Sequence, residues 1–112
     1  MPVNGVDYWP AVIETPVFTR QATALWPDAD YAALQRFLVA HPEAGAVIPG
    51  SGGLRKVRWF QAGGGKRGGV RVIYRWLPAR QRLYLLLAYR KREVDTLTRA
   101  QLAILRRMID DA

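Results

Sequence analysis

Hydrophobic positions along this chain recur first at a strand period, then at a helical one, then at a strand period again, and finally at a helical one. Trp9 to Glu14 is apolar and β-branched near its end and predicts a short first strand. Thr15-Pro16 predicts a helix start, with Thr15 as cap and Pro16 at the first helical position. Phe18, Ala22 and Leu25 follow at helical spacing, and Pro27 closes that segment. Asp28 offers a second cap, behind which Tyr31, Leu34, Phe37 and Leu38 share one side of a helix ending near His41-Pro42. Breaks fall at His41 to Gly45 and at Pro49 to Gly53, with Val47 and Ile48 between them expected to tuck against the core.

Three strands are predicted next. Leu54 to Phe60 alternates, placing Leu54, Lys56, Arg58 and Phe60 on one face and Arg55, Val57 and Trp59 on the other. Gln61 to Gly69 is a glycine-rich hairpin loop. Val70 to Trp76 is the second strand, with Val70, Val72, Tyr74 and Trp76 opposing Arg71, Ile73 and Arg75. After a turn at Leu77 to Arg80, Arg82 to Tyr89 carries the run Leu85-Leu86-Leu87-Ala88 of a central strand buried on both faces. Thr98 caps a last helix bearing Leu102, Leu105, Met108 and Ile109. The expected fold is a single α+β domain over residues 1–112. Its antiparallel sheet is a three-strand meander plus the N-terminal strand, with two helices before the meander and one after it. Helices are expected on one face of the sheet, leaving the other to carry cations.

Charge sharpens that picture. The formal net charge is +8 and the sequence pI about 10.6, so a polyanionic partner is the first expectation. Twelve cations fall between Arg55 and Arg92, while no Asp or Glu occurs between Glu43 and Glu93. Such a stretch is tolerable in a compact fold when phosphates or an acidic partner supply the missing charge.

Other chemistries lack their residues. The chain has no cysteine, which excludes a disulfide framework, a thiol nucleophile and a cysteine-based zinc site. The one histidine, His41, precedes a proline in a turn, and no paired carboxylates lie in the basic stretch. Neither a metal nor a cofactor is expected. The loop Gly63 to Gly69 lacks the Gly-Lys-Ser/Thr of a phosphate-binding loop and precedes a strand, not a helix. No apolar run approaches the roughly 20 residues of a membrane span. The segment before Trp9 does not read as a signal peptide, so a cytoplasmic protein is expected.

What remains is phosphoryl transfer run by cations. RNA carries its own nucleophile, the 2′-hydroxyl, and arginine forks onto the other phosphate oxygens as their charge grows. A lysine crowded by cations has its proton loosened and can act as base, while a tyrosine can stack on a base or orient the hydroxyl. Lys56, Arg58, Arg71, Tyr89, Lys91 and Arg92 are placed for these roles. On charge alone, non-catalytic binding of nucleic acid competes equally with cleavage.

Three ordered blocks resemble the HigB branch of the RelE toxin superfamily. They are Pro42 to Gly45 with Ile48 to Arg58, Gly65 to Tyr74, and Tyr89 to Thr98. The last is similar to that branch's Tyr-Ala-Lys-Asn-Glu-x-Asp-Asp-Leu-Thr, departing from it at Arg92 and Thr96. The resemblance spans Ile13 to the C-terminus. It implies a fold like microbial ribonucleases and a metal-independent, ribosome-dependent endoribonuclease (an mRNA interferase) that inhibits translation by cutting mRNA in the A site of the small ribosomal subunit. The implied partner is a cognate antitoxin, helix-turn-helix and HigA-like, through which alone the toxin would reach operator DNA. By position it implies Lys56, Arg58, Arg71 and Lys91 as catalytic, and Lys66 and Arg67 as a basic loop that would hold RNA. Arg55, Tyr89 and Arg92 are further RNA-binding candidates, and because Arg92 departs from the family's pattern its place in the site is open. The alternatives are a non-catalytic basic module or a degenerate toxin that chiefly binds its antitoxin.

Overall fold

The computed structural model describes residues 10–60, 69–93 and 97–110. Strand β1 (Ala11–Glu14) leads into helices α1 (Pro16–Leu25) and α2 (Asp28–Ala40). Strands β2 (Ala46–Val47), β3 (Arg55–Trp59), β4 (Val70–Leu77) and β5 (Arg82–Arg90) follow, with a 3-10 turn at Pro78–Arg80, and helix α3 (Arg99–Asp110) closes the order. This is an α+β architecture: a five-stranded, mostly antiparallel sheet in the order β1-β5-β4-β3-β2 with three helices. The hairpin loop expected at Gln61 to Gly69 lies, apart from Gly69, outside the described residues.

Local chemistry sets several boundaries. The Thr15 hydroxyl oxygen accepts the Phe18 N–H at 3.0 Å, capping α1 with Pro16 at its first position. At α3, Thr98 Oγ1 accepts the Gln101 N–H at 3.1 Å while Gln101 Oε1 accepts the Thr98 N–H at 2.8 Å. That reciprocal pair is a capping box. Asp28 is not a cap; Pro27 occupies that place without a side-chain bond, and Asp28 and Asp30 lie in the first turn, where the helix dipole favours acids.

The sheet departs from expectation in three respects. First, β1 pairs parallel to β5, from Ala11 opposite Arg82 to Glu14 opposite Leu85. A parallel pair needs a long connection, and the intervening helices and meander provide it. Second, Ala46–Val47 forms an edge strand against Lys56 and Arg55, with Val47 exposed; only Ile48 packs inward. Third, helices cover both faces. Phe18, Ala22, Leu25, Leu34 and Leu38 pack with Val70, Val72, Tyr74, Leu83 and Leu85 on one side. Leu102, Leu105 and Ile109 of α3 pack with Leu54, Ile73, Tyr84 and Leu86 on the other. The cause is visible in β5, whose leucine run is apolar on both faces and so demands two covers.

A bulge in β5 decides which way its last residues point. Ile73 is opposite Leu87 but Tyr74 is opposite Leu85, so Leu86 is one residue more than β4 matches. Leu83 and Leu85 face α1 and α2, and strict alternation would send Leu87 and Tyr89 the same way. Instead Ala88 joins the α1 side and Tyr89 joins the α3 side.

Tyr74 anchors the turn before β2. Its buried hydroxyl donates to the Pro42 carbonyl at 2.9 Å and accepts the Gly45 N–H at 2.8 Å. A Cβ on Gly45 would sit 2.8 Å from the Tyr74 ring and 2.9 Å from the Lys56 carbonyl. Gly45→Ala should therefore destabilise the fold by about 1–3 kcal/mol, read as a lower midpoint in urea unfolding.

Candidate nucleic-acid interface

Strand register builds the site. Arg58 of β3 is opposite Arg71 of β4, and Arg71 is opposite Tyr89 of β5. Directly opposed residues of neighbouring antiparallel strands have Cβ atoms about 4.5–5.5 Å apart. The row Arg58–Arg71–Tyr89 is thus one continuous strip across three strands, and the β5 bulge is what brings Tyr89 into it. Lys56 lies two residues before Arg58 on the same face, opposite Ile73 in the adjacent row. Helix α3 covers the far part of this face through Ile73, Tyr84 and Leu86.

Exposure grades along the strip. Arg71 is 8% exposed and Tyr89 7%, whereas Arg58 and Lys56 are open to solvent. Burial pushes the Tyr89 phenol upward, and the Arg71 charge pulls part of that back. The phenol therefore stays protonated at neutral pH.

The end of β5 adds two more cations. The Lys91 N–H donates to the Gly69 carbonyl at 3.2 Å, holding the residues after β5 beside the start of β4. Lys91 and Arg92 are exposed in this turn, where Glu93 pairs with Arg90 at 3.6 Å. Lys56, Arg58, Arg71, Tyr89, Lys91 and Arg92 thus belong to one end of the sheet.

Several other described cations are engaged elsewhere. Arg55 shares its face with Val57 and Trp59, and its guanidinium donates to the Gly45 and Glu43 carbonyls at 2.7 and 3.2 Å. It holds a turn and is not part of the strip. Arg75 donates to the Gly52 carbonyl at 2.6 Å, and Arg82 lies 3.3 Å from the Tyr84 hydroxyl. Lys66 and Arg67 lie outside the described residues. Among the described cations of the basic stretch, Arg55 and Arg75 thus hold loops, while Arg58 and Arg71 lie in the strip.

Other chemistry is not assembled among the described residues. His41 caps α2, its N–H bonded to the Phe37 carbonyl at 2.8 Å and its ring 5.3 Å from that of Phe37. No group of three or more His, Asp or Glu able to hold a metal comes together among the described residues. No helix there is long and apolar enough to cross a membrane.

No family model matches this chain. Among solved structures, its fold is similar to that of the Escherichia coli toxin RelE, determined in the free state as a double arginine-to-alanine mutant. The TM-score is 0.58 at 10% identity, over 88% of this chain and 97% of that one. The likeness is one of fold.

Proposed function

We propose that this chain is a single-domain toxin of a type II toxin–antitoxin pair, of the HigB branch, that cleaves mRNA in the ribosomal A site. The observation that carries this reading is the strip Arg58–Arg71–Tyr89 on a RelE-like sheet, flanked by Lys56 and Lys91. The 2′-hydroxyl attacks the adjacent phosphorus while the bond to the 5′-oxygen breaks, leaving a 2′,3′-cyclic phosphate and a 5′-hydroxyl. Lys56 and Lys91 are the groups for proton transfer, Arg58 and Arg71 hold the phosphate oxygens as their charge grows, and Tyr89 orients the ribose or a base as a neutral hydroxyl. Arg92 adds a phosphate contact, and Lys66 and Arg67 add contacts to mRNA or ribosomal RNA. No metal or cofactor takes part. The protein acts in the cytoplasm, and its partner there is a helix-turn-helix antitoxin that neutralises it and carries the pair to operator DNA.

Induced expression without an antitoxin should arrest growth and produce new transcript 5′ ends within coding regions. Lys91→Ala should relieve the arrest while its thermal unfolding stays within about 0.5 kcal/mol of wild type, as for an exposed residue. Intact transcripts under wild-type induction would reduce the protein to a nucleic-acid binder.

A further inference from the structure

Beyond the catalytic strip, the structure holds an aromatic residue that neither the fold nor the chemistry above requires. Phe60 is 56% exposed, one residue past the end of β3 and two past Arg58. A single exposed apolar side chain is ordinary, but this one is held in place. Its carbonyl accepts the indole N–H of Trp26, a buried residue, at 2.6 Å. Its ring stands edge-on to Trp59 at 5.6 Å between centroids, and Trp59 in turn packs on Phe37 at 5.3 Å. A buried indole thus fixes the backbone, and one half-buried ring, Trp59, itself packed on Phe37, buttresses the exposed one.

The chain around Phe60 is basic and free of acids. The exposed side chains of Lys56 and Arg58 precede Phe60 on the same strand run, and no acid occurs from residue 44 to residue 92. A pre-positioned aromatic ring two residues along the chain from an exposed arginine offers the two elements, stacking and charge, by which proteins hold unpaired bases. An acidic protein partner would use the cations but has no need of a flat, exposed ring.

We propose that Phe60 is a base-stacking subsite for single-stranded RNA, receiving a nucleotide next to the one whose phosphate sits on Arg58 and Arg71. This rests on the RNA-cleaving reading and deepens it. Phe60 extends the contact along the strand; it does not take part in bond breaking.

The test is binding of a short single-stranded oligoribonucleotide methylated at every 2′-oxygen, which removes the nucleophile and separates binding from cleavage. Phe60→Ala should weaken binding about fivefold or more, and Phe60→Tyr should restore it while Phe60→Leu does not. The salt dependence supplies a second readout. Phe60→Ala should leave the slope of log affinity against log salt unchanged, whereas Arg58→Ala should reduce it by about one. Unchanged affinity in Phe60→Ala, or full recovery in Phe60→Leu, overturns the stacking site. Wild-type protein that fails to bind this RNA also overturns it, while transcript cleavage, measured separately, still decides the nuclease reading.

Discussion

On the proposed nuclease reading, Arg71→Ala should leave a folded protein that cleaves RNA roughly a hundredfold to a thousandfold more slowly than wild type. That is the scale of losing one pre-positioned group aimed at developing charge, about 2.7–4 kcal/mol. Arg71 is the middle of the strip, facing Arg58 on one side and Tyr89 on the other, and it is held within the sheet at 8% exposure. A group so enclosed has little reorganisation left to undergo when charge appears on the phosphate. Arg71→Lys keeps the charge but loses the planar fork, so it should recover only a minor part of the rate. Single-turnover cleavage of mRNA on programmed ribosomes measures the effect, with circular dichroism to confirm the fold. An Arg71→Ala variant that is folded and as fast as wild type removes Arg71 from the site.

Phe18→Ala carries the largest expected cost in stability, about 3–5 kcal/mol. The side chain is fully buried between α1 and the sheet and lies 5.9 Å from the Tyr31 ring of α2. At roughly 4–8 °C per kcal/mol for a small domain, the melting temperature should fall by more than about 10 °C, measured by thermal denaturation. The loss reaches the site as well as the core. Helix α1 and its cap hold the bulged part of β5: the Thr15 hydroxyl donates to the Leu86 carbonyl at 2.9 Å, and Gln21 Oε1 accepts the Ala88 N–H at 2.8 Å. The first bond is made to Leu86, the extra residue that turns Tyr89 toward Arg71, and the second to the residue just before Tyr89. A melting temperature within a few degrees of wild type would mean that α1 is not the anchor described.

The parts of this fold that were legible in the sequence are those set by near neighbours. Thr15-Pro16 and Thr98 mark helix starts through bonds to residues three positions on. Strict alternation assigns the faces within β3 and within β4, while the common side of Lys56, Arg58 and Arg71 follows from the register that sets Arg58 opposite Arg71. Alternation fails in β5 because Leu85, Leu86 and Leu87 are all apolar, so the pattern cannot reveal where the extra residue lies. The face of Tyr89 was hidden for that reason. The parallel pairing of β1 was hidden too, since its partner lies some 71 residues away along the chain. Arg55 reads as one more cation of the basic run, yet the Gly45 and Glu43 carbonyls that bind it are brought near only by the turn before β2. The cover over the second face follows from β5, since a strand apolar on both sides requires α3 opposite α1 and α2.

The central claim is that the cationic strip drives attack by the RNA's own 2′-hydroxyl. The most direct measurement compares programmed ribosomes carrying ordinary mRNA with ribosomes carrying mRNA deoxygenated at the mapped scissile ribose, and analyses the product ends. Cleavage of the ordinary message alone, with 2′,3′-cyclic phosphate and 5′-hydroxyl ends, is the expected result. Equal cleavage of both messages, or cleavage of neither, would contradict the claim.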